Sequence, residues 1–527
     1  MRHRLSAALL AALAAAACAV PTASASTTQE STFQDDPLLV YGTPAQQYRT
    51  LDQLKQLGVD RIRVTVFWNI VAPAPESETR PAGFDAADPA AYPPTAWDRY
   101  DRLVRAANYL GIGVNFNPTA PAPLWATGDP GDRKDLADVW APDPKEFGDF
   151  VTAVGRRYNG LVPGIPRVDY WSIWNEPNQG AWLAPQWVDV GGGSFAEASP
   201  RLYRGLVDAA QRGLEISGHG TDTILIGETA PKGLKVRGVS RAMAPRRFLL
   251  RLYCLDDFGQ HLRGAAAQAQ GCPTEDPATR MRAEHPGLFR ISGWAHHPYE
   301  LTAAPDAKPR DPEWYTTGNL RELTFLLRRV FLRHGHPLPL GAGRLFPLYL
   351  TEYGYQTDPP DPLGVAPGTQ ARYLNHSEWL TSRLAEVRTL AQFLMVDDKP
   401  GAGASDVERF GNSFQSGLVG LDGRRKPAYA AYRLPIHVPR TRVRRGGLLT
   451  VWGLVRPGAT GRRQTVRVEL RRGSRGRYRT VRTVRTEAQR GAFTVRLRLR
   501  SAGAVRFAWR DGRGRTFRSR GVAVRVR

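Results

Sequence analysis

The sequence predicts an α/β fold, a (β/α)8 TIM barrel, followed by a small all-β domain, and two contrasting patterns support this prediction. Across residues 26–434, near-continuous apolar runs recur between helical segments, as in a parallel sheet covered by helices. Across residues 435–527, short segments alternate apolar with polar side chains, which is typical of an antiparallel, immunoglobulin-like β-sandwich. A doubly wound open sheet is the alternative for the first part, but no glycine-rich phosphate loop supports it.

Eight strand–helix units can be counted in the first part, which is the number that closes a barrel. The longest connection, residues 231–290, falls between the fifth and sixth strands and contains Cys254 and Cys272. Loops at this end of a barrel build substrate clefts, so the connection is either one wall of a cleft or a surface excursion. The predicted strands are the apolar runs at 38–42, 59–68, 111–118, 168–176, 221–229, 291–299, 346–355 and 390–398.

The first 25 residues indicate a secretory signal peptide. Two arginines precede an apolar stretch that is too short to span a bilayer, and residues 23–25 form an A-x-A cleavage site. Cys18 leaves lipid attachment open as an alternative, but Ala15 stands where a lipobox prefers leucine. The sequence therefore predicts a secreted, extracellular protein with no membrane span.

Export has a consequence for the two cysteines that remain after residue 25. In an oxidising exterior, Cys254 and Cys272 are expected to pair within the chain. No histidine stands at ligand spacing beside them, so they do not predict a metal site.

The net charge of +24 belongs to the end of the chain. Residues 435–527 contain 27 arginines, no lysine and three acids, which accounts for the whole excess, while residues 26–434 are near neutral. This change predicts a domain boundary near Pro435. The alternating arginines are either a solvated strand face or a binding surface. In an exported protein, such a surface indicates an anionic cell-wall polymer or acidic polysaccharide rather than nucleic acid.

Two carboxylates stand at predicted strand ends, where barrel enzymes carry out their chemistry. Glu176 follows the fourth strand in WSIWNEPNQG, and Glu352 follows the seventh in LYLTEYGY. Cleavage of a glycosidic bond needs two such groups. One protonates the leaving oxygen, and the other attacks the anomeric carbon or activates water.

Four polar residues near strand ends can support this pair. Asn175 offers an amide to a sugar 2-hydroxyl group, a contact that strengthens in the transition state. His297 and Tyr299 end the sixth predicted strand, and their spacing of two places them on one face. Arg63 on the second strand can hold a carboxylate ionised.

The motifs WNEPN, HPY and TEYG, in this order at the ends of strands four, six and seven, resemble clan A of the retaining glycoside hydrolases. The likeness is greatest to the cellulase-type family 5 over residues 36–434, and WNEPN is also similar to family 39. The resemblance implies a hydrolase of β-linked oligo- or polysaccharides that needs no cofactor or metal. In it, Glu176 is the acid/base and Glu352 the nucleophile, with Asn175, His297, Tyr299 and Arg63 as the supporting shell.

The sequence departs from family 5 in one respect and leaves several residues with two interpretations. The tryptophan platform expected after strand eight is missing, and Phe414 is the expected replacement. Glu228 also ends a strand, in IGET, and can be the nucleophile instead of Glu352. His296 and His297 are adjacent and point to opposite faces, so they do not predict a shared metal ion. Candidates for stacking on sugar rings are Trp68, Trp125, Trp182 and Trp187, and about half of these are expected to be packing residues instead.

Three alternative functions stay open at the level of sequence. An inverting enzyme differs only in the spacing of its two carboxylates, which a sequence does not give. A family 39-like exo-glycosidase, for example of the β-xylosidase type, would have a pocket instead of an open cleft. A non-catalytic carbohydrate-binding barrel is the alternative from another class, and the presence of both acids argues against it.

Overall fold

A computed structural model describes residues 28–339 and 345–527. The predicted signal peptide, including Cys18, lies outside the described residues. The barrel prediction is confirmed, because eight parallel strands form a closed ring in chain order and the eighth strand pairs with the first. The strands are Glu30–Gln34, Arg61–Phe67, Gly113–Thr119, Tyr170–Ser172, Thr223–Thr229, Gly293–His296, Leu348–Leu350 and Val387–Phe393.

The first strand lies at Glu30–Gln34, so its prediction at 38–42 is wrong. The apolar run at 38–42 begins with the last two residues of a short helix, Asp36–Leu39, in which Leu39 is fully buried, and continues as a turn. Asp35 caps this helix by accepting a hydrogen bond from a backbone N–H of its first turn. The run is therefore apolar because it packs beneath the barrel's outer layer, not because it forms a strand.

Helices connect the strands and cover the outside of the ring. The first long helix, Pro44–Leu57, begins with a capping box between Thr43 and Gln46 and ends at Gly58, whose φ of 84° favours glycine. The other long helices are Asp98–Tyr109, Pro144–Arg157, Ser199–Ile216, Leu320–Arg333 and Pro367–Ser382, and shorter ones are Trp68–Val71, Asp406–Phe410 and Pro427–Arg433. Among the described residues, no helix is both long and apolar enough to cross a membrane.

Two connections carry structure of their own at the barrel mouth. A hairpin of Trp187–Gly191 and Ser194–Glu197 follows the fourth strand. The connection between strands five and six contains the helices Pro245–Leu252, Gly264–Ala269 and Pro277–Glu284. The predicted disulfide between Cys254 and Cys272 is present in it, with the two Cα atoms 5.7 Å apart.

The end of the chain forms two sheets that share a core, which confirms the all-β part of the prediction. Val466, Val468 and Phe507 are among the buried side chains that the sheets turn toward each other. The smaller sheet contains Ile436–His437, Leu448–Leu454 and Ala492–Arg498. The larger sheet contains, in spatial order, Arg442–Val443, Val522–Val526, Gly503–Arg510, Thr465–Arg472 and Arg479–Arg485, with Thr516–Arg518 paired to Gly503–Arg510.

This β-sandwich contacts the amino-terminal end of the barrel, opposite the mouth. Arg456 reaches from the sandwich and donates to Glu378 at 2.7 Å and to the backbone oxygen of Tyr432 at 2.7 Å. It also contacts the hydroxyl of Ser31 at the start of the first strand. The side chains of Arg456 and Glu378 are 3% and 5% exposed. A buried ion pair therefore holds the two parts of the chain together.

Candidate active site

The carboxyl ends of the barrel strands bring seven polar side chains into one cluster. They come from strands two, four, five, six and seven; Arg63 lies within its strand, and the other six lie at the end of a strand or within four residues after it. All six residues that the sequence predicts for catalysis and its support belong to the cluster, together with Glu228. The seven are Arg63, Asn175, Glu176, Glu228, His297, Tyr299 and Glu352.

Arg63 lies at the centre of the cluster, with none of its side chain exposed. Its Nη1 donates to Gln34 Oε1 at 2.6 Å and to Glu352 Oε1 at 2.7 Å. Its Nη2 donates to Asn175 Oδ1 at 2.7 Å and to Glu228 Oε2 at 2.9 Å. Burial by itself lowers the pKa of Arg63, but the nearby carboxylates outweigh burial and raise it above its ordinary value. Arg63 therefore stays charged and fixes two carboxylates in place.

His297 lies between the carboxylates and is also fully buried. Its Nδ1 is 2.8 Å from Glu176 Oε1, and its Nε2 is 2.7 Å from Glu228 Oε2. Glu352 Oε2 is 3.6 Å from the same Nδ1. Burial favours the neutral ring, but the three negative charges outweigh it and raise the pKa of His297 to about 10. At neutral pH both ring nitrogens therefore carry protons, and both donate hydrogen bonds to carboxylates.

Glu228 has no exposed surface and is closed off from the mouth. Its Oε2 accepts hydrogen bonds from Arg63, His297 and the Thr351 hydroxyl, the last at 2.8 Å. Burial raises the pKa of Glu228, but the charges of Arg63 and His297 outweigh it and lower it to about 2. Such a carboxylate is a permanent counter-ion, and this geometry argues against the alternative in which Glu228 attacks a sugar. Its strand-end position was visible in the sequence, but its partners come from three other strands.

Glu352 and Glu176 face each other at the open side of the cluster, with side chains 11% and 19% exposed. Their nearest ligand oxygens lie within 4.8 Å of one another. The Tyr299 hydroxyl donates to Glu352 Oε2 at 3.1 Å. Burial raises the pKa of Glu352, and the positive charges of His297 and Arg63 reduce this rise without cancelling it.

The backbone after the fourth strand aims Glu176 into the cluster. Trp174 and Glu176 both have left-handed backbone angles, with φ of 63° and 36°. The N–H of Glu176 donates to the backbone oxygen of Glu228 at 3.0 Å, and the Trp174 ring N–H donates to the backbone oxygen of Trp182 at 3.0 Å. These contacts hold a conformation that costs non-glycine residues roughly 1–2 kcal/mol each. The unusual sequence at the end of this strand, WSIWNEPN, therefore serves to position the side chain of Glu176.

Asn175 completes the edge of the cluster. Its backbone N–H donates to Thr119 Oγ1 at 2.9 Å, and its side-chain oxygen accepts from Arg63. The side-chain nitrogen donates to no residue in the described chain. The amide is thus oriented with its N–H groups free for a ligand.

The ligand atoms of Glu176, His297 and Glu352 are close enough together to surround a metal ion. However, a metal needs the lone pair of a neutral imidazole, and both nitrogens of His297 face carboxylates that keep them protonated. The charge distribution in this cluster therefore suits proton transfer better than metal binding.

Three of the predicted sugar-stacking residues are buried, and the prediction for them is wrong. Trp187 is 3% exposed and donates its ring N–H to the backbone oxygen of Arg241 at 3.0 Å. Trp68 is 1% exposed and stacks on Phe150, with ring centroids 5.6 Å apart. Trp125 is 9% exposed, packs edge-on against Trp68, and donates its ring N–H to the backbone oxygen of Pro73 at 3.0 Å. Trp68 and Trp125 pack the outer layer of the barrel, so their ring faces are not available to a sugar.

Trp182 and Phe414 are partly exposed near strand ends, as their prediction requires. Trp182 stacks on Phe67, the last residue of strand two, with the rings 6.2 Å apart and 3° from parallel. Phe414 packs edge-on against Phe393, the last residue of strand eight, which in turn contacts Tyr299 edge-on. Phe67 and Phe393 were not predicted. The only sequence signal for them was their place as the final aromatic of a strand.

The comparisons with known proteins find matches among solved structures. No protein-family model matches the chain, and no curated protein matches it. Similar solved structures include GH5_18 from Streptomyces cattleya in complex with GlcNAc, at 15% identity and TM-score 0.45, covering 78% of this chain and 79% of that one. Fpglu1 from Fervidobacterium pennivoraus is 14% identical at TM-score 0.43, covering 78% and 94%. A beta-glucosidase from Exiguobacterium marinum is 16% identical at TM-score 0.42, covering 73% and 84%.

Proposed function

We propose that this protein is a retaining glycoside hydrolase that cleaves a β-linked saccharide by double displacement. The observation that carries the proposal is the separation of Glu176 and Glu352, whose nearest ligand oxygens lie within 4.8 Å. Retaining enzymes place their carboxyl groups about 5–5.5 Å apart, whereas inverting enzymes leave roughly 6.5–9.5 Å for a water molecule. Two carboxyl oxygens this close leave little room for a water molecule between them, which favours the retaining mechanism over the inverting alternative.

The charges of the cluster support the protonation states that this mechanism needs. Arg63 and His297 are positive, and Glu228 is negative. Two positive side chains against one negative one leave the cluster able to stabilise a further negative charge on Glu352, to which Arg63 donates. One acid and one carboxylate are what the first step of a retaining glycosidase consumes.

In the first step, Glu352 attacks the anomeric carbon while Glu176 gives its proton to the leaving oxygen. Arg63 and the Tyr299 hydroxyl favour the ionised form of Glu352, because both donate hydrogen bonds to it. Asn175 supplies a free amide for the sugar 2-hydroxyl group, whose hydrogen bond strengthens as positive charge develops on the ring.

In the second step, Glu176 takes a proton from water, which attacks the same carbon and releases Glu352. Once Glu352 has become an ester, its negative charge is gone. His297 then donates to Glu176 in the presence of one fewer anion, which favours the ionised form of Glu176. The acid of the first step thereby becomes the base of the second.

We also propose that the enzyme acts outside the cell. The signal-peptide pattern in residues 1–25 and the disulfide between Cys254 and Cys272 both suit an exported protein. We therefore place its saccharide substrate outside the cell. The partly exposed rings of Trp182 and Phe414 are the proposed surfaces for sugar stacking.

The test is azide rescue of two variants, assayed on an aryl β-glycoside with a good leaving group. Glu352→Gly should abolish turnover, and azide should restore it with an inverted glycosyl azide as product. Glu176→Ala should retain part of the activity, because a good leaving group needs no acid, and azide should give a product of retained configuration. Circular dichroism of each variant checks that it is folded.

The control is Glu228→Gly, which removes the third carboxylate of the cluster. It should lower activity without azide rescue, since Glu228 has no exposed surface. If Glu228→Gly shows the rescue and Glu352→Gly keeps nearly full turnover, the assignment of the nucleophile is wrong. If none of many β-glycosides and β-glycans is cleaved by the wild type, the proposal of an active glycosidase fails.

A further inference from the structure

The outer face of the larger sheet in the arginine-rich domain carries a concentration of unpaired positive charge. Val466 and Phe507 point into the core, so residues one position away on the same strands project outward. Following the strand register gives the set that we call the arginine face. It comprises Arg442, Arg467, Arg471, Arg506, Arg510, Arg518 and Arg525.

Small residues lie between these arginines and form a floor. Ala508 is in register with Arg467 on one neighbouring strand and with Arg518 on the other. Ala504 is likewise in register with Arg471. Since neighbouring strands are about 4.8 Å apart, the two arginines beside Ala508 start roughly 10 Å from each other. Ala508 and Ala504 are 1% and 4% exposed, so the guanidinium groups stand above these small residues and are what a ligand meets.

The charge of the arginine face is not neutralised within the described chain. Only Arg506 has an ion-pair partner there, Glu469 at 2.7 Å, and Glu469 is the only acid on the strands of this sheet. Arg442 is directly in register with Arg525. Like charges placed opposite each other on neighbouring strands destabilise a sheet. Bound anions would remove this repulsion.

We propose that the arginine face binds a linear anionic glycopolymer. Arginine forms paired hydrogen bonds with carboxylate and phosphate groups, which suits a polyuronate or a polymer of sugar or polyol phosphates. The arginines are spread over several strands of one sheet, so the ligand is an extended polymer and not a small anion.

The composition of the face favours a glycopolymer over a nucleic acid. Surfaces that bind single strands combine positive charge with exposed aromatic rings on which bases stack. The aromatic ring beside this face, Tyr478, is covered by the Arg506 guanidinium at 3.8 Å. The arginine face therefore offers charge without a stacking platform.

The experiment compares two triple variants of the full-length chain. Arg467→Gln, Arg471→Gln and Arg518→Gln together remove the charges on both sides of the floor. The matched control replaces three exposed arginines of the other sheet with glutamine. Arg496 and Arg498 lie in a strand of that sheet, and Arg500 follows it. Binding to polygalacturonate, poly(glycerol phosphate) and a DNA duplex is measured at ~0.1 M salt, where long-range attraction is screened.

The wild type should bind one or both glycopolymers, and which of them binds identifies carboxylate or phosphate as the ligand group. The arginine-face variant should bind ~10-fold to 100-fold more weakly, while the control stays within about 3-fold. Both variants should keep wild-type turnover of a soluble aryl glycoside. Equal losses in the two variants would overturn the proposal, as would an absence of glycopolymer binding or tighter, face-dependent binding of DNA.

Discussion

Replacing Glu228 with glutamine should change how the stability of the protein depends on pH. Glu228 Oε2 lies 2.7 Å from His297 Nε2, and both groups are fully buried. Glutamine keeps the size and an oxygen acceptor but removes the negative charge. A hydrogen bond to a charged group contributes about 1.5–3 kcal/mol, which corresponds to roughly one to two pKa units. The pKa of His297, raised to about 10 in the wild type, should therefore fall by that amount.

The sign of the effect follows from proton linkage. The pKa of His297 is about 10 in the folded protein and 6.5 in its ordinary range. Its contribution to stability is complete below pH 6.5 and is lost as the pH rises through 10, by about 5 kcal/mol in total. In Glu228→Gln the loss should be smaller by roughly 1.5–3 kcal/mol and should end at a lower pH.

Urea unfolding at several pH values between 6 and 11 measures this difference. The matched control is Thr351→Val, which removes an uncharged donor to the same carboxylate, originally at 2.8 Å. It should lower the free energy of unfolding by a similar amount at every pH. Equal pH slopes for Glu228→Gln and the wild type would show that Glu228 does not hold the proton on His297, and the proposed charge balance of the site would be refuted.

Two further variants test the site and the contact between the domains. Tyr299→Phe should lower kcat by ~10-fold to 100-fold with little change in KM, because a hydrogen bond to a carboxylate is lost; steady-state kinetics measure this, and an unchanged kcat would contradict it. Arg456→Met should lower the free energy of unfolding by about 3–5 kcal/mol, because it leaves Glu378 buried without its main partner. Adding Glu378→Met should restore much of that loss, and both variants should keep wild-type kcat, since they lie at the far end of the barrel.

Seven of the eight strands could be predicted because each contains several apolar residues, even where polar side chains such as Arg63 alternate with them. The first strand, ESTFQ, could not, because its polar side chains serve the interior of the barrel. Gln34 accepts a hydrogen bond from Arg63 and donates one to Asp36. A strand that makes such polar contacts does not show the apolar pattern by which a buried strand is recognised. The neighbouring run at 38–42 has the composition of a strand. However, Asp35 caps a helix that begins just before this run, and the cap stabilises the helical conformation.

The part of the candidate site that could be predicted consists of residues recognisable by their position at the end of a strand. Glu176 and Glu352 stand out because acids rarely end apolar runs. The role of Glu228 depends on Arg63 and His297, which come from other strands, so no local pattern contained it. The burial of Trp68 likewise depends on Phe150 in a helix far along the chain. Which face of an aromatic ring is covered is a property of packing and not of sequence position.

The contact between the β-sandwich and the barrel also bears on the rate at which the protein unfolds. Arg456 and Ser31 are 425 residues apart in sequence, and Arg490 and Gln29, which share a hydrogen bond of 3.2 Å, are 461 apart. Contacts between such distant segments form late in folding, because closing long loops costs entropy before any contact rewards it. Interactions that are absent from the transition state act mainly on the unfolding rate. The carboxy-terminal part of the chain thus holds the first strand of the barrel in place, and weakening this contact should shorten the lifetime of the folded protein without slowing its folding.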